Sequence, residues 1–410
     1  MSLFTPRSTA VRYGVIIEIG SGSVLVAIVR STAGSNHPDI IWSVREQTVR
    51  REISDLSSGA KNVLTALMNV VLLVESEGKA ALKAAAPGAT LTHIQVSITA
   101  PWSYTITKVI SYSTEGTFTV TAALIASLMD AAQKKITEDL KENELASDLG
   151  LTIMTRATTD ILANGYKTSD PVGEKAETIT LTQVSAVAQS YLTDAIADVH
   201  TKVLPRASIE RFSFMLMFHC IIRDLHHSMT EYCLIDVTDE ATEIGIVRGG
   251  ILHYCTHTAF GISTLAREIA ICLNIPIDEA VAFLREPYHS HQLSELTDAK
   301  RAEVEIVFSH YQAAVTALFH ETGDTLSIPK VLFIHGGADT ESFFSTQISL
   351  AAKAATSTTH TAHAVSTELL TAGYTPEQLA EVTKQGLDTA VLVAAAFFHK
   401  QHHCNDFIQV

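Results

Sequence analysis

Small residues and one carboxylate form a short turn near the start of the chain. The turn lies between two apolar stretches in GVIIEIGSGSVLVAIV and contains Glu18, Gly20, Ser21, Gly22 and Ser23. Because glycine has no Cβ and serine is small, the backbone N–H groups of such a turn can approach a phosphate. The turn is a candidate phosphate site, with a plain hairpin turn as the alternative.

A second turn of similar shape is acidic. The sequence EYCLIDVTDEATEIGIVRGG predicts a strand, a tight turn and a second strand. Its polar side chains are Asp236, Thr238, Asp239, Glu240, Thr242 and Glu243. Two unit charges about 5 Å apart repel by about 3 kcal/mol at an effective dielectric constant of about 20. A phosphate that faced Asp239 and Glu240 would meet that repulsion unless a cation lay between them.

A diglycine turn, Gly336-Gly337, ends the apolar segment KVLFIH. This segment predicts a buried strand, and the two glycines allow either a close approach to a ligand or a plain strand-to-helix turn. Together with the two hairpin turns, it makes a third place where the chain could contact a nucleotide.

The elements that must position these turns occur twice. Strand–turn–strand patterns cover 13–30 and 231–252, which suggests a duplicated α/β protein with a cleft between its halves. Apolar residues at helical spacing predict the helices 58–86, 120–143, 187–202 and 261–275. A mostly helical region runs to about 327. Thr375 and Gln378, with Pro376 between them, predict a capping box that starts a last helix ending near His399.

Residues from about 91 to 185 differ in character, because β-branched strands surround the helix at 120–143. The simplest interpretation is a compact β-α-β-β module inserted in a larger domain. Trp102 and Tyr104 follow Pro101 at its start and could either anchor a protein interface or belong to the core.

Composition excludes several classes of protein. The 410 residues are 47% hydrophobic and 18% charged, which indicates a globular chain of two or more domains. A formal net charge of −15 argues against non-specific binding to nucleic acid and against adsorption to anionic membranes. The five cysteines are odd in number and scattered, as in cytoplasmic proteins with free thiols. We see no signal peptide and no apolar run long enough to span a bilayer.

Three stretches together resemble the actin-like, sugar kinase and heat-shock ATPase superfamily. They are GVIIEIGSGSVLVAIV, LIDVTDEATEIGIVRGG and VLFIHGGAD, which match its two phosphate turns and its adenosine turn. The module resembles the strand–helix–strand–strand insertion of the FtsA and PilM proteins, with NGYKTSDPVGEKAE (164–177) close to an FtsA stretch. AFGISTLAREIA keeps Gly261 of a helix start in that family. The resemblance implies an α/β, actin-like duplicated (ribonuclease H-like) fold with two lobes around a nucleotide cleft.

The resemblance also implies a division of the chain. The first lobe would comprise 1–90, 186–229 and about 376–410, with the module at 91–185. The second lobe would comprise 230–275 and 328–375, with a helical subdomain at 276–327.

Departures from the family fall on the turns. Glu18 stands where the family has aspartate, and Leu25 where relatives often have lysine. The second turn has lost three glycines, which limits positive φ and adds side chains that block a phosphate. The residues expected at a nucleotide are Glu18, Gly20, Ser21, Gly22, Ser23, Asp236, Thr238, Thr242, Gly261, Gly336 and Gly337. Mg²⁺ held through Glu18 and Asp236 would offset the acidic charge only in part. ATP and Mg²⁺ are thus candidate ligands whose binding is weakened.

The resemblance implies a cytoplasmic scaffold, recruited to the inner membrane through a tubulin-like division protein or a pilus inner-membrane protein. FtsA proteins usually end in a membrane-targeting helix, and we expect no such anchor after QHHCNDFIQV. This expectation favours the PilM type. The segment NGYKTSDPVGEKAE favours the FtsA type. The alternatives are a pseudo-ATPase with an empty cleft, or an active ATPase or small-molecule kinase. Self-association is left open.

His399, His402, His403 and Cys404 could bind a metal, but a solvated tail is the simpler interpretation.

Overall fold

The computed structural model describes residues 11–48, 56–142, 150–168, 170–285, 293–323, 328–337 and 340–403. Its strands are β1 (Val11–Ile19), β2 (Ser23–Thr32), β3 (Asp39–Gln47), β4 (His93–Ile98), β5 (Ser103–Thr119), β6 (Leu151–Ala163), β7 (Tyr166–Lys167), β8 (Lys175–Gln189), β9 (Ser208–Ser213), β10 (Tyr232–Val237), β11 (Thr242–Arg248), β12 (Ile251–Thr258), β13 (Val331–Gly336) and β14 (Thr361–Ala364).

Its helices are α1 (Leu56–Leu73), α2 (Lys79–Ala85), α3 (Ala122–Glu142), α4 (Ser190–Val203), α5 (Phe214–Leu225), α6 (Ile262–Leu273), α7 (Ile277–Leu284), α8 (Asp298–Glu321), α9 (Glu341–Thr356), α10 (Thr367–Leu370), α11 (Pro376–Gln385) and α12 (Thr389–His403). A π-helical turn, Val74–Gly78, joins α1 to α2. No helix in the described ranges combines the length and apolar character needed to cross a bilayer.

Two five-stranded sheets repeat one topology. The first has the order β3-β2-β1-β4-β9, and the second has the order β12-β11-β10-β13-β14. In each sheet, three antiparallel strands are followed by two parallel ones. The predicted α/β duplication is therefore confirmed, with a β-hairpin at the start of each half.

The module is a third sheet, of order β5-β8-β6-β7, with α3 packed on one face. Ala132 and Ile136 of α3 are fully buried, as the apolar stripe of that helix predicts. Strand β4 falls inside the range 91–185 expected for the module, but it pairs with β1 in the first sheet. Trp102, just before β5, is buried and its Nε1 donates to the Gly20 carbonyl oxygen at 3.2 Å. It therefore belongs to the core.

Helices α5 and α12 lie in the core between the two large sheets. Phe214 to Ile222 of α5 are all buried, and all of them except His219 share one cluster with Ile16 of the first sheet and Leu234 of the second. Phe397 and Phe398 of α12 belong to the same cluster. These two helices therefore fix how the turns of one sheet face those of the other.

The predicted last helix is two helices. Thr375 forms the expected capping box with Gln378, but α11 ends at Gly386, which adopts the left-handed conformation at φ 61°. Glycine is the residue most readily found in that position at a helix end. The chain restarts as α12, where the Asp388 carboxylate accepts from the Val391 amide at 3.0 Å. Because of this break, Asp388 lies at the cleft between the sheets.

Candidate functional site

A cavity of 520 Å³ lies where the turns of the two sheets meet. Eight of the eleven residues expected at a nucleotide line it: Glu18, Gly20, Ser21, Ser23, Asp236, Thr238, Gly336 and Gly337. Three turns that are far apart in the sequence therefore converge on one site.

The first turn is held from the side by Arg45 of β3. Its Nη2 lies 3.1 Å from the Glu18 carboxylate and 2.6 Å from that of Asp388, and its Nη1 donates to Ser23 Oγ at 2.5 Å. Burial raises the pKa of Glu18, and the charge of Arg45 opposes this only in part. Leu25, which stands where relatives often have lysine, is buried in the core. The positive charge at this turn is therefore that of Arg45, which lies opposite Leu25 on β3.

The second turn rests on the start of α6. The Thr238 amide donates to the Ala241 carbonyl at 2.9 Å, and the Ile262 amide donates to the Thr238 carbonyl at 2.9 Å. A methyl group on Gly261 would overlap the backbone of Thr238 and Ala241. Gly261 therefore permits the close contact between helix and turn, although it does not line the cavity.

The two turns bind directly to each other. Ser21 Oγ donates to Thr238 Oγ1 at 3.2 Å and accepts from the Glu240 amide at 3.0 Å. A Cβ on Gly22 would overlap the Asp239 carboxylate. A side-chain hydroxyl and a carboxylate thus fill the space between the two turns.

Only one of the two extra carboxylates faces the cavity. Asp239 lines it and accepts from Ser263 Oγ at 2.9 Å. Glu240 turns away and forms a bidentate ion pair with Arg267, with N–O distances of 2.9 and 2.5 Å. Arg267 neutralises Glu240, so Asp239 is the one of the two carboxylates that a phosphate in the cavity would face.

His335 is the partner of Asp236. The two residues are adjacent on paired strands, and His335 Nδ1 lies 2.7 Å from Asp236 Oδ1. Burial favours the neutral imidazole, but the hydrogen bond and charge of Asp236 outweigh it and raise the pKa of His335. Burial also raises the pKa of Glu243, well above its ordinary value. Burial thus raises the pKa of two carboxyl groups beside this pair, Glu18 and Glu243.

Thr242 does not reach the cavity. Its hydroxyl donates to the Phe260 carbonyl at 2.8 Å and lies 3.1 Å from the Tyr311 hydroxyl in the second-lobe core. Of the histidines considered for a metal, His402 Nδ1 lies 3.3 Å from the Arg12 guanidinium, and Cys404 is outside the described residues. No cluster of three metal-ligating side chains occurs in the part of the chain that the structure describes.

Sequence reasoning missed Arg45, His335 and Asp388, three of the charged or titratable residues that line the cleft. His335 directly precedes the diglycine turn, and its position opposite Asp236 follows once the two strands are known to be neighbours. Arg45 and Asp388 carried no local signal, since their partners are distant in sequence.

The residues as placed do not fit a Mg²⁺–triphosphate. Glu18 and Asp236, the candidate Mg²⁺ positions, already bond to Arg45 and His335. The backbone amide of Glu240 already donates a hydrogen bond to Ser21 Oγ, and the Asp239 carboxylate lies against Gly22. A phosphate entering here would have to break these contacts and lie beside a carboxylate.

Comparison with known proteins settles the fold. No protein-family model and no curated protein matches the chain in sequence. A chain of the solved PilM–PilN type IV pilus biogenesis complex superposes with a TM-score of 0.55 and 12% identity, over 96% of this chain and 99% of that chain. The fold is that of the actin-like ATPases.

The expected actin-like fold, of the PilM type, is therefore confirmed. The ethanolamine utilization protein EutJ from Carboxydothermus hydrogenoformans also superposes, with a TM-score of 0.45 and 10% identity over 94% of this chain and 89% of that chain.

Proposed function

We propose that this actin-like protein is a cytoplasmic scaffold, recruited to the inner membrane by a protein partner, and that it binds ATP weakly and does not turn it over efficiently. The observation that carries the proposal is the direct bonding of the two hairpin turns through Ser21, Thr238 and Glu240. An ATPase of this fold would need that space for phosphates.

The role of a scaffold requires a surface for the partner. A groove of 810 Å³ lies between the module, α5 and the β11–β12 turn. Lys167, Arg223 and Arg248 line it together with the carboxylates of Asp160 and Asp224. The groove is thus lined by three cationic and two anionic side chains, whereas the whole protein has a net charge of −15. This local positive charge favours an acidic partner segment.

An ion triad centred on a buried aspartate lies in the groove. Asp160 has a side chain only 4% exposed and lies 2.6 Å from Lys167 Nζ and 3.3 Å from Arg223 Nη1. It thereby links β6 and β7 of the module to α5 of the first lobe. An extended acidic segment of an inner-membrane protein is the partner that we propose for this groove. The PilM–PilN complex supports a pilus role over a division role.

The cleft is tested by calorimetric titration of the purified protein with ATP and Mg²⁺, alongside Asp239→Asn and Asp239→Gly. Asn removes the charge but still fills the space, whereas Gly removes both. We expect weak binding by the unmodified protein, a modest gain for Asn and at least a tenfold gain for Gly. Asp298→Asn, in a fully exposed position of α8, is the control. Efficient turnover of ATP by the unmodified protein, with or without a small-molecule acceptor, would overturn the proposal.

The partner is tested by affinity recovery from native membrane extract with identification by mass spectrometry. Lys167→Glu should abolish recovery of a pilus inner-membrane protein. Lys202→Glu is a matched control, because this lysine is similarly exposed and is also paired with an aspartate. Recovery of a tubulin-like division protein instead would favour a role in cell division over a role in pilus assembly.

A further inference from the structure

A second cavity lies between strand β3 and helix α11, and we call it the α11 cavity. Its volume of 330 Å³ falls within the range of small-molecule sites, which is about 300–1,000 Å³. Arg30 of strand β2 and Ala85 at the end of α2 complete its wall. Neither the cleft nor the groove proposed for the partner accounts for this space.

Two glutamine side chains explain the gap between the helix and the strand. Gln378 Nε2 donates to the Asp39 carboxylate at 3.1 Å, and Gln385 Nε2 donates to the Ile40 carbonyl at 3.1 Å. The two glutamines lie about two helical turns apart, so they fasten both ends of α11 to β3. The helix is thereby held at the length of a side chain from the strand. Glu381, between the two glutamines, lines the cavity.

Most of the cavity wall is apolar. The apolar lining residues include Pro38, Ile40, Ile41, Tyr374, Val382 and Leu387. Three of them, Ile40, Val382 and Leu387, belong to the core cluster between the two large sheets. Burial of an aliphatic chain against this wall is favourable, because it removes apolar surface from water.

The charged part of the wall is acidic. Arg30 is the one basic residue among the described residues of the wall, and its Nε is paired with the Asp39 carboxylate at 3.0 Å. The carboxylates of Glu377 and Glu381 remain, one turn apart on α11 and both accessible to solvent. Lys384 approaches Glu381 to 3.4 Å from outside the wall, but it is 76% exposed, and such surface pairs contribute little. A cation is therefore favoured at this end of the cavity, and an anion is disfavoured.

An aliphatic primary amine combines the two properties that the wall selects. Its carbon chain is apolar, and its ammonium group is a cation with three hydrogen-bond donors. The aromatic ring of Tyr374 in the wall also favours a cation over an anion. A carboxylic acid of the same length would bring the wrong charge, and an alcohol would bring none.

We propose that the α11 cavity binds a small aliphatic primary amine, with its carbon chain against the apolar wall and its ammonium group beside Glu377 and Glu381. The proposal goes beyond the scaffold role and does not depend on it, because neither glutamate lines the cleft or the groove proposed for the partner.

The class of ligand is tested by saturation-transfer NMR titration of the full chain with hexylamine, hexanol and hexanoate. These probes share a carbon chain and differ in charge. Hexylamine should bind about fivefold more tightly than hexanol, because the two carboxylates are exposed and each contributes little, and about tenfold or more tightly than hexanoate. No binding of hexylamine, or equal binding of hexanol, would overturn the proposal. Tighter binding of hexanoate would show that Arg30 governs the site, and would overturn it too.

The position of the site is tested with two neighbouring alanines of α2, both exposed. Ala85 lines the cavity, so Ala85→Phe should fill its opening and weaken hexylamine and hexanol alike, by about tenfold or more. Ala84 lies outside the wall, and Ala84→Phe should bind both within about twofold of the unmodified protein. Equal affinities in the two variants would place the amine elsewhere and overturn the assignment.

The role of the carboxylates is tested with Glu377→Gln combined with Glu381→Gln. This double variant should weaken hexylamine about fivefold and leave hexanol within about twofold. Glu368→Gln is the matched control, because Glu368, like Glu377, is an exposed glutamate in the first turn of its helix, and it lies outside the wall. Equal weakening by the control would show a general effect of surface charge and would contradict the proposal. Circular dichroism melting of each variant checks that the fold is retained.

Discussion

The two hairpin turns of this protein share a backbone and differ in chemistry. In the first turn the Gly20 amide donates to the Ser23 carbonyl at 2.9 Å, and in the second the Thr238 amide donates to the Ala241 carbonyl at the same distance. The second turn is thus closed by the same kind of backbone hydrogen bond as the first, although it contains no glycine. None of the described non-glycine residues with positive φ lies in either turn, and neither Gly20 nor Gly22 has positive φ.

This difference shows what the glycines of the first turn are for. Because the backbone conformation does not require them, their value is the space that a missing Cβ leaves, which Asp239 fills beside Gly22. The second turn therefore closes its hairpin without glycine. In place of glycines it has Thr238, which accepts from Ser21 of the first turn, and two carboxylates that bond to side chains of α6.

The largest effect is expected where a glycine contacts backbone rather than a side chain. Gly261→Ala should lower the free energy of unfolding by about 3 kcal/mol, because the backbone of Thr238 and Ala241 cannot move aside. Gly20→Ala should cost about 1 kcal/mol, because its neighbours lie at 3.1 Å or beyond. Urea denaturation measures both, with Gly116→Ala as a control in open space. Equal losses at Gly261 and Gly116 would contradict the role of α6 in supporting the second turn.

Removal of the hydroxyl that joins the turns comes next. Ser21→Ala should lower the free energy of unfolding by about 2 kcal/mol, because it leaves the Glu240 amide without its acceptor in a buried site. Ser111→Ala, whose hydroxyl bonds Thr180 at an exposed position, should change stability by less than about 0.5 kcal/mol. Chemical denaturation of the two variants makes the comparison. If they are equally stable, the turn-to-turn bond contributes nothing measurable.

A smaller effect tests the contact between Gly22 and Asp239. Gly22→Ala should cost about 1.5 kcal/mol, less than at Gly261, because a side chain can shift where backbone cannot. In an Asp239→Gly background the same change should cost little, since the overlapping carboxylate is gone. The double-mutant cycle, read from urea midpoints, gives the coupling between the turns. Additive costs would mean that the two residues do not touch.

The smallest effect concerns pH. Burial raises the pKa of Glu243, so its contribution to stability is complete below about pH 4.5 and is lost as pH rises toward the folded pKa. Glu243→Gln mimics the protonated carboxyl, and it should be more stable than the unmodified protein by about 1 kcal/mol at pH 8. The raised pKa of His335 acts in the same direction above pH 6.5, so the variant should retain part of the pH dependence. Denaturation at pH 5 and pH 8 tests this; an unchanged difference between the two pH values would exclude Glu243 as its source.

Much of the fold could be predicted because its signals are local. Apolar alternation and helical spacing located the two hairpins, the module helix and the helix after the second turn, and the Thr375 capping box is present as expected. The break at Gly386 was missed because both flanking segments have helical character, and only packing on the central core favours two helices over one.

The candidate site was predicted in part. Residues within the three turns could be identified, because each turn has its own composition. Thr242 was misplaced, since its side chain points into the second-lobe core rather than toward the cavity. The partners of Glu18, Asp236 and Glu240 could not be assigned, because Arg45, His335 and Arg267 reach them from other strands and helices.

The sequence by itself determined the repeated hairpins, the inserted module and the acidic character of the second turn, because these depend on neighbouring residues along the chain. Tertiary structure alone decided which partner each of those acids meets. Electrostatic energy depends on distances between atoms, and here Arg267 and His335 come close to Glu240 and Asp236 only after the sheets and helices have packed together.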